Sequence, residues 1–204
     1  MVTIVDYGVG NIQAFINIYK RLNIEVLVAQ CPDQIIGARK IIIPGVGAYD
    51  WAMHKLLDSG MKPALEDMVL NQNSFVLGVC VGMQLMAKKS EEGVLPGLGW
   101  FDASVKKFDK SMFTSKTHLP HMGWNTVVPS NENGLFSGIS EPQFYFLHSY
   151  YFCENDESDI LCKTYYGGEF SSGVQKRNII GVQFHPEKSH QWGVKLLKNF
   201  AELK

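Results

Sequence analysis

Ser74-Phe75-Val76-Leu77-Gly78-Val79-Cys80-Val81-Gly82, running on through Met83–Ala87, is the stretch that decides the fold. Ser74–Val79 is a short apolar run that reads as a buried strand, and Gly82–Ala87 is compatible with a helix. A strand that feeds a helix with no linker is the repeating unit of a parallel α/β sheet. The same alternation holds upstream. Val2–Val5 reads as a strand, Asp6–Asn11 as a turn, and Ile12, Phe15, Ile16, Tyr19 and Leu22 fall at helical spacing. Glu25–Ala29 and Lys40–Ile43 are the next strands, the second ending in Pro44-Gly45-Val46-Gly47, and helical stretches follow around Trp51–Leu57 and Pro63–Leu70. The expected fold is α/β: a three-layer α/β/α arrangement on a mostly parallel sheet.

After Pro96-Gly97-Leu98-Gly99 the pattern changes to short strand-like pieces: Val105–Phe108, Phe144–Phe152, Ile160–Tyr165, Phe170–Gln175 and Ile179–Phe184. Joints such as Asn131-Glu132-Asn133-Gly134 and Tyr166-Gly167-Gly168 separate them, as in antiparallel hairpins. A closing helix after Ser189 carries Trp192, Leu196, Phe200 and Leu203 on one face. The expectation is therefore an antiparallel extension on the parallel sheet.

The 204 residues, at 22.9 kDa, suit a single domain spanning 1–204. With 46% hydrophobic and 19% charged residues the chain is neither disordered nor fibrous. A formal charge of −1, with arginine only at Arg21, Arg39 and Arg177, gives no field for nucleic acid or a membrane surface. Cys31, Cys80, Cys153 and Cys162 form no C-x-x-C, and Pro120 argues against a helical metal face between His118 and His121. No metal and no cofactor are expected. The start, MVTIVDYGVGN, lacks the basic and long apolar regions of a signal peptide, so the reading is a cytoplasmic protein with reduced thiols.

Gly78-Val79-Cys80-Val81-Gly82 is the cysteine version of the nucleophile elbow G-x-S-x-G. Such a turn presents its nucleophile exposed above the sheet at a helix N-terminus, where orphan amides and the helix dipole favour a thiolate. The Val81 N–H can then face a developing oxyanion. A free cysteine is also commonly buried as a small hydrophobe, so the elbow alone leaves both readings open. A thiol nucleophile needs a base, and the base needs an orienting group. Gly181-Val182-Gln183-Phe184-His185-Pro186-Glu187-Lys188-Ser189 supplies both, with His185 after a strand and Pro186 imposing an extended step that turns Glu187 back to the imidazole. Gly45-Val46-Gly47 is a second glycine-rich strand exit, suited to backbone donors for an oxyanion. It lacks the Lys-Ser/Thr of a P-loop, and Gly8-Val9-Gly10 fails the dinucleotide fingerprint at Gln13.

Taken together, GVCVGMQ at 78–84, GVQFHPEKS at 181–189 and PGVGAYD at 44–50 resemble the class I (triad) glutamine amidotransferases. PHMGWN at 120–125 and FLHSYYF at 146–152 bring the resemblance nearest to the glutaminase subunits of imidazole glycerol phosphate synthases, and DYGVGN at 6–11, SEEG at 90–93 and LPGLGW at 95–100 extend it along the chain. The resemblance implies Cys80 as nucleophile, His185 as base and Glu187 as orienting carboxylate. It implies oxyanion donors at Val81 and in Gly45-Val46-Gly47, and a glutamine pocket bordered by Gln84, His148, Ser149 and Tyr150. Asn11, Trp124, Tyr145 and Lys188 match positions facing a partner subunit. Val81 departs from the leucine common in the family, but only its backbone is used.

The resemblance further implies L-glutamine as substrate and a (βα)₈-barrel cyclase as partner in a heterodimer. The ammonia released would serve imidazole glycerol phosphate formation in histidine biosynthesis. Val81 and the continuation Met86-Ala87-Lys88-Lys89 also resemble a paralogous branch that supplies ammonia for amidation of a surface-polysaccharide sugar.

Overall fold

The computed structural model describes residues 1–113, 117–131 and 134–204. Strands β1 (Val2–Val5), β2 (Val26–Ala29), β3 (Lys40–Ile43) and β4 (Phe75–Val79) are joined through helix α1 (Ile12–Arg21) and helices α2 (Tyr49–Asp58) and α3 (Lys62–Glu66). One turn of helix, α4 (Val81–Gln84), leaves β4, and the short pair β5 (Lys89–Ser90) and β6 (Ala103–Lys107) follows. Then come β7 (His121–Thr126), β8 (Val128–Pro129), β9 (Gln143–His148), β10 (Tyr150–Glu154), β11 (Ile160–Tyr165), β12 (Glu169–Lys176) and β13 (Ile179–Val182), and helix α5 (His190–Glu202) closes the chain.

The main sheet has the order β2-β1-β3-β4-β13-β12-β10-β6-β5, with β11 on β12 and β8 on β11. Its first five strands are mutually parallel, in the doubly wound order in which ligands bind beyond the carboxyl ends of the strands. Parallel strands covered on both faces read as continuous apolar runs, and β1 and β13 are buried at every position. Helices α1 and α5 are tied where Tyr19 Oη donates to Leu197 O at 3.1 Å. Beyond β13 the sheet turns antiparallel through β12, β10 and β6.

Four details differ from the sequence reading. Phe144–Phe152 is two strands: β9 pairs with β7 in a separate two-stranded sheet, and the chain bends at Ser149 to enter the main sheet as β10. Phe144, Phe146, His148 and Phe152 are all buried, so the alternation runs through the bend and the period cannot reveal it. The helix over Pro63–Leu70 is α3 followed by a π-helical turn at Asp67–Asn71. The helix after the elbow begins at Val81 and is shorter than Gly82–Ala87 suggests. Leu203 lies just past the end of α5 rather than on its face. The joint at Asn131-Glu132-Asn133-Gly134 includes Glu132 and Asn133, which lie outside the described residues.

Candidate active site

The carboxyl ends of three neighbouring strands, β3, β4 and β13, deliver the groups that the motifs single out. β4 and β13 pair in parallel with Val79 opposite Val182, so Cys80 and His185 leave adjacent strands on the same side. Cys80 has φ 54° and ψ −113°, a backbone conformation that a side-chain-bearing residue adopts only when its surroundings impose it. Its N–H is held by Val182 O at 2.8 Å. A Cβ on Gly82 would lie 2.0 Å from Ile43 O, and one on Gly45 would lie 2.1 Å from Gly82 N. The glycine loop after β3 therefore rests directly on the elbow, and any side chain at either position would pry them apart.

The elbow reading expects an exposed sulfur, but Cys80 is only 3% exposed. It lies in a pocket of about 320 Å³ at the bend where β9 ends and β10 begins, lined there by Leu147, His148, Ser149 and Tyr150, and by Val46, Gly47 and Val81. Gln84, Glu92, Pro120, His185 and Lys188 complete the lining. As the first residue of α4, Val81 has no intrahelical acceptor for its N–H, which is the condition for an oxyanion donor.

His185 Nδ1 lies 2.8 Å from Glu187 Oε1, and both side chains are 2% exposed. The step between them is not extended, because Pro186–Lys188 forms a 3₁₀ turn with His185 itself as the extended residue before the proline. That turn brings the carboxylate under the ring. The backbone of His185 is pinned too: its N–H donates to Tyr145 O at 2.8 Å, and its carbonyl accepts from Ser189 Oγ at 2.6 Å. Burial by itself lowers the imidazole's affinity for a proton. The Cys80 sulfur and then Glu187 outweigh it and push His185 up to about 10. With Nδ1–H directed at Glu187, Nε2 is the nitrogen left to exchange a proton with Cys80.

A buried hydrogen-bond chain runs from the small sheet to the sulfur. Tyr150 O, an acceptor only, receives His148 Nδ1 at 2.7 Å and Gln84 Nε2 at 3.2 Å. His148 Nε2 must then accept, and it faces His121 Nδ1 at 2.9 Å; His121 Nε2 in turn faces Asn125 Nδ2 at 3.2 Å. Burial, followed by the neighbouring His121, pushes His148 down to about 3, and burial pushes His121 down to about 4, so both rings are neutral. On the other side Gln84 Nε2 donates to Gln183 Oε1 at 3.0 Å, and Gln183 Nε2 faces Cys80 Sγ at 3.7 Å.

Of the residues singled out from sequence, Val46, Gly47, Cys80, Val81, Gln84, His148, Ser149, Tyr150, His185 and Lys188 all line this pocket. Glu187 stands behind His185, and Gly45 behind the loop. Trp124 and Tyr145 face each other across β7 and β9, Trp124 stacks on His190 at 5.1 Å, and Lys188 Nζ lies 5.9 Å over the Tyr145 ring. Trp124 is 43% exposed, so this cluster forms an outer surface beside the pocket. Asn11, exposed in the turn after β1, caps α1, its side chain accepting from Ala14 N at 3.2 Å, and is not among the residues lining the pocket. Three residues escape the sequence reading: Gln183, His121, and Glu92, whose Oε2 accepts from Tyr49 N at 3.0 Å and whose carboxyl is raised by burial. Each lies in a quoted motif, but a lone polar residue in a motif carries no sign of its contact.

The profile of the "Glutamine amidotransferase class-I" family matches residues 3–203. The chain belongs to the class I glutamine amidotransferases. Among its amidotransferase relatives, "Imidazole glycerol phosphate synthase subunit HisH" of Bdellovibrio bacteriovorus is 54% identical over 205 residues, covering 100% of both chains. "Imidazole glycerol phosphate synthase subunit HisH 2" of Pseudomonas aeruginosa is 44% identical, again over 100% of both. A solved structure described as "Crystal structure of glutamine amidotransferase" superposes with a TM-score of 0.75 at 19% identity, covering 99% of this chain and 98% of that one, a likeness of amidotransferase fold. Among the described residues no helix is long and apolar enough to cross a membrane.

Proposed function

We propose that residues 1–204 form one amidotransferase domain, the glutaminase subunit of an imidazole glycerol phosphate synthase, working in the cytoplasm. The observation that carries the chemistry is the placement of Cys80, His185 and Glu187 on neighbouring strand ends at one pocket. The thiolate of Cys80 attacks the side-chain carbonyl carbon of L-glutamine. The Val81 amide and the Gly45-Val46-Gly47 backbone receive the oxyanion, a contribution of about 3–4 kcal/mol per donor. His185 protonates the departing ammonia from Nε2, while Glu187 holds the ring in the tautomer that makes this possible. Water then attacks the thioester with His185 as base, and glutamate leaves.

The pocket also suits the rest of the substrate. Glu92 offers a carboxylate to the α-ammonium of an amino acid. Both hydrogens of Gln84 Nε2 are committed to Tyr150 O and Gln183 Oε1, leaving its carbonyl oxygen for a ligand's donor. The full-length similarity to proteins named as subunits of imidazole glycerol phosphate synthase supports a cyclase as acceptor. That partner would be a (βα)₈ barrel bound in a heterodimer through the face around Trp124, Tyr145, Lys188 and Asn11. To test the reading, the native partner is captured with the tagged chain, and glutamine-dependent synthesis is assayed with the cyclase's ribonucleotide substrate and with a sugar acceptor. Turnover with the ribonucleotide supports it; turnover with the sugar alone overturns the acceptor.

A further inference from the structure

The polarity of the buried chain is dictated by one backbone carbonyl. Because Tyr150 O can only accept, the Gln84 atom facing it is the amide nitrogen. That nitrogen's second hydrogen reaches the Gln183 oxygen, so the Gln183 atom turned toward Cys80 Sγ is an N–H donor. Neither carboxamide can flip without placing two oxygens or two nitrogens face to face. Gln183 has no freedom to move either: it is 0% exposed, and its backbone N–H is held by Ser172 O at 2.9 Å.

We propose that Gln183 is a positioning residue for the nucleophile, whose fixed N–H orients the Cys80 sulfur and stabilises it when it carries charge. The proposal rests on the reading of Cys80 as nucleophile given above. His185 contributes a proton that must leave the sulfur's side during the reaction, to go to ammonia. The sulfur also lies 4.0 Å from Leu147 O, which can only accept and so holds it only while the thiol keeps its proton; the Gln183 hydrogen bond does not depend on where that proton is. A donor to an anionic acceptor is worth more than one to a neutral acceptor, so this contact strengthens as the thiolate forms.

The test uses the full chain together with its cyclase partner, as wild type, Gln183→Met and Gln183→Glu. Three quantities are read: kcat and KM for glutamate release, the rate at which iodoacetamide alkylates Cys80 as located by peptide mapping, and, in labelled wild type, the Gln183 side-chain amide signals while Cys80 is titrated. Gln183→Met, close in shape but without the donor, should lower kcat and alkylation about 10- to 100-fold with KM within about twofold. Gln183→Glu keeps an acceptor for Gln84 but turns an oxygen on the sulfur, and should fall further. In wild type a Gln183 amide proton should move downfield as the sulfur ionises. Wild-type rates in Gln183→Met, a Gln183→Glu enzyme faster than Gln183→Met, or a loss confined to KM would each overturn the proposal. So would Gln183 signals that stay still as Cys80 ionises, a result available even if neither variant folds. If wild-type protein released no glutamate and its Cys80 resisted alkylation, the nucleophile assignment itself would fall.

Discussion

Lowering the pH from 7 to 5 should destabilise this protein through His121 and His148. Both rings are buried, and their hydrogen bonds fix them as neutral: His148 Nδ1 donates to Tyr150 O while its Nε2 accepts from His121, which is stacked between Phe146 at 4.6 Å and Tyr166 at 3.8 Å. A proton added to His148 Nε2 would confront the His121 donor. Burial holds His148 down to about 3 and His121 down to about 4, whereas an unfolded chain titrates both near 6.5. The sign follows from proton counting. Below pH 6.5 the unfolded chain binds protons that the native state refuses, so stability is present above that pH and is lost as pH falls toward the native values. Between pH 7 and 5 each ring costs about 2 kcal/mol, and the pair about 3–4 kcal/mol, a large share of the 5–15 kcal/mol typical of a domain.

Urea unfolding at pH 7, 6 and 5 measures this directly, with His121→Phe as the reference. Phenylalanine keeps the stack between Phe146 and Tyr166 but deprives His148 Nε2 of its donor, a pH-independent cost of about 1 kcal/mol. The pH-dependent loss in the variant should be smaller than that of wild type by about 2 kcal/mol, the share of one ring. His185, whose raised value adds stability as the pH falls, and carboxylates that titrate alike in both proteins cancel in the difference. Equal losses in wild type and His121→Phe would refute the neutral-pair assignment, as would a wild-type stability flat from pH 7 to 5.

Cys80→Ala should abolish glutamine-dependent synthesis by the complex and leave synthesis from ammonium salts intact; loss of both, with the complex still formed, would contradict the division of labour. In single-turnover thioester formation His185→Ala should lose about 10²–10⁴-fold, and Glu187→Gln distinctly less, because one moves the proton and the other aligns the ring. Reversed losses would mean the roles are misassigned. Gly45→Ala should lower kcat about 10²–10³-fold by lifting the oxyanion loop off the elbow, since its Cβ would lie 2.1 Å from Gly82 N and 2.7 Å from Val81 C. A folded variant with unchanged kcat would show that this loop supplies no donor.

How much of this was legible in the sequence depended on whether burial left a period to read. The parallel half was legible because β1, β3, β4 and β13 are buried on both faces and stand out as apolar runs between turns. Strand β7 was not, since Pro120 directly precedes it and Gly123 and Asn125 within it are residues that strands avoid; Gly123 has φ 123°, and the pairing with β9 overrides local preference. Cys80 and His185 were legible because each leaves a strand inside a motif with its own turn chemistry. Glu92 and Gln183 were not, because their contacts are set by neighbours about 40 and 100 residues away in sequence: Tyr49 at the start of α2, and Cys80 and Gln84 at the elbow and in α4.

The separation between β4 and β13 explains how the site divides its work. The two strands are neighbours in the sheet, yet nearly every antiparallel strand is inserted between them in the chain. The parallel half carries the groups proposed for bond making: Cys80 after β4, His185 and Glu187 after β13, and the glycine loop after β3. The insertion contributes the wall, since the bend at Ser149 carries His148 out of the small sheet and Tyr150 into the large one, directly over the sulfur. Tyr150 O holds that bend from two sides, accepting from His148 and from Gln84. The wall and the Cys80 sulfur are thus joined through a single carbonyl, and the ends of that connection are Asn125, beside the exposed Trp124, and Gln183, beside Cys80.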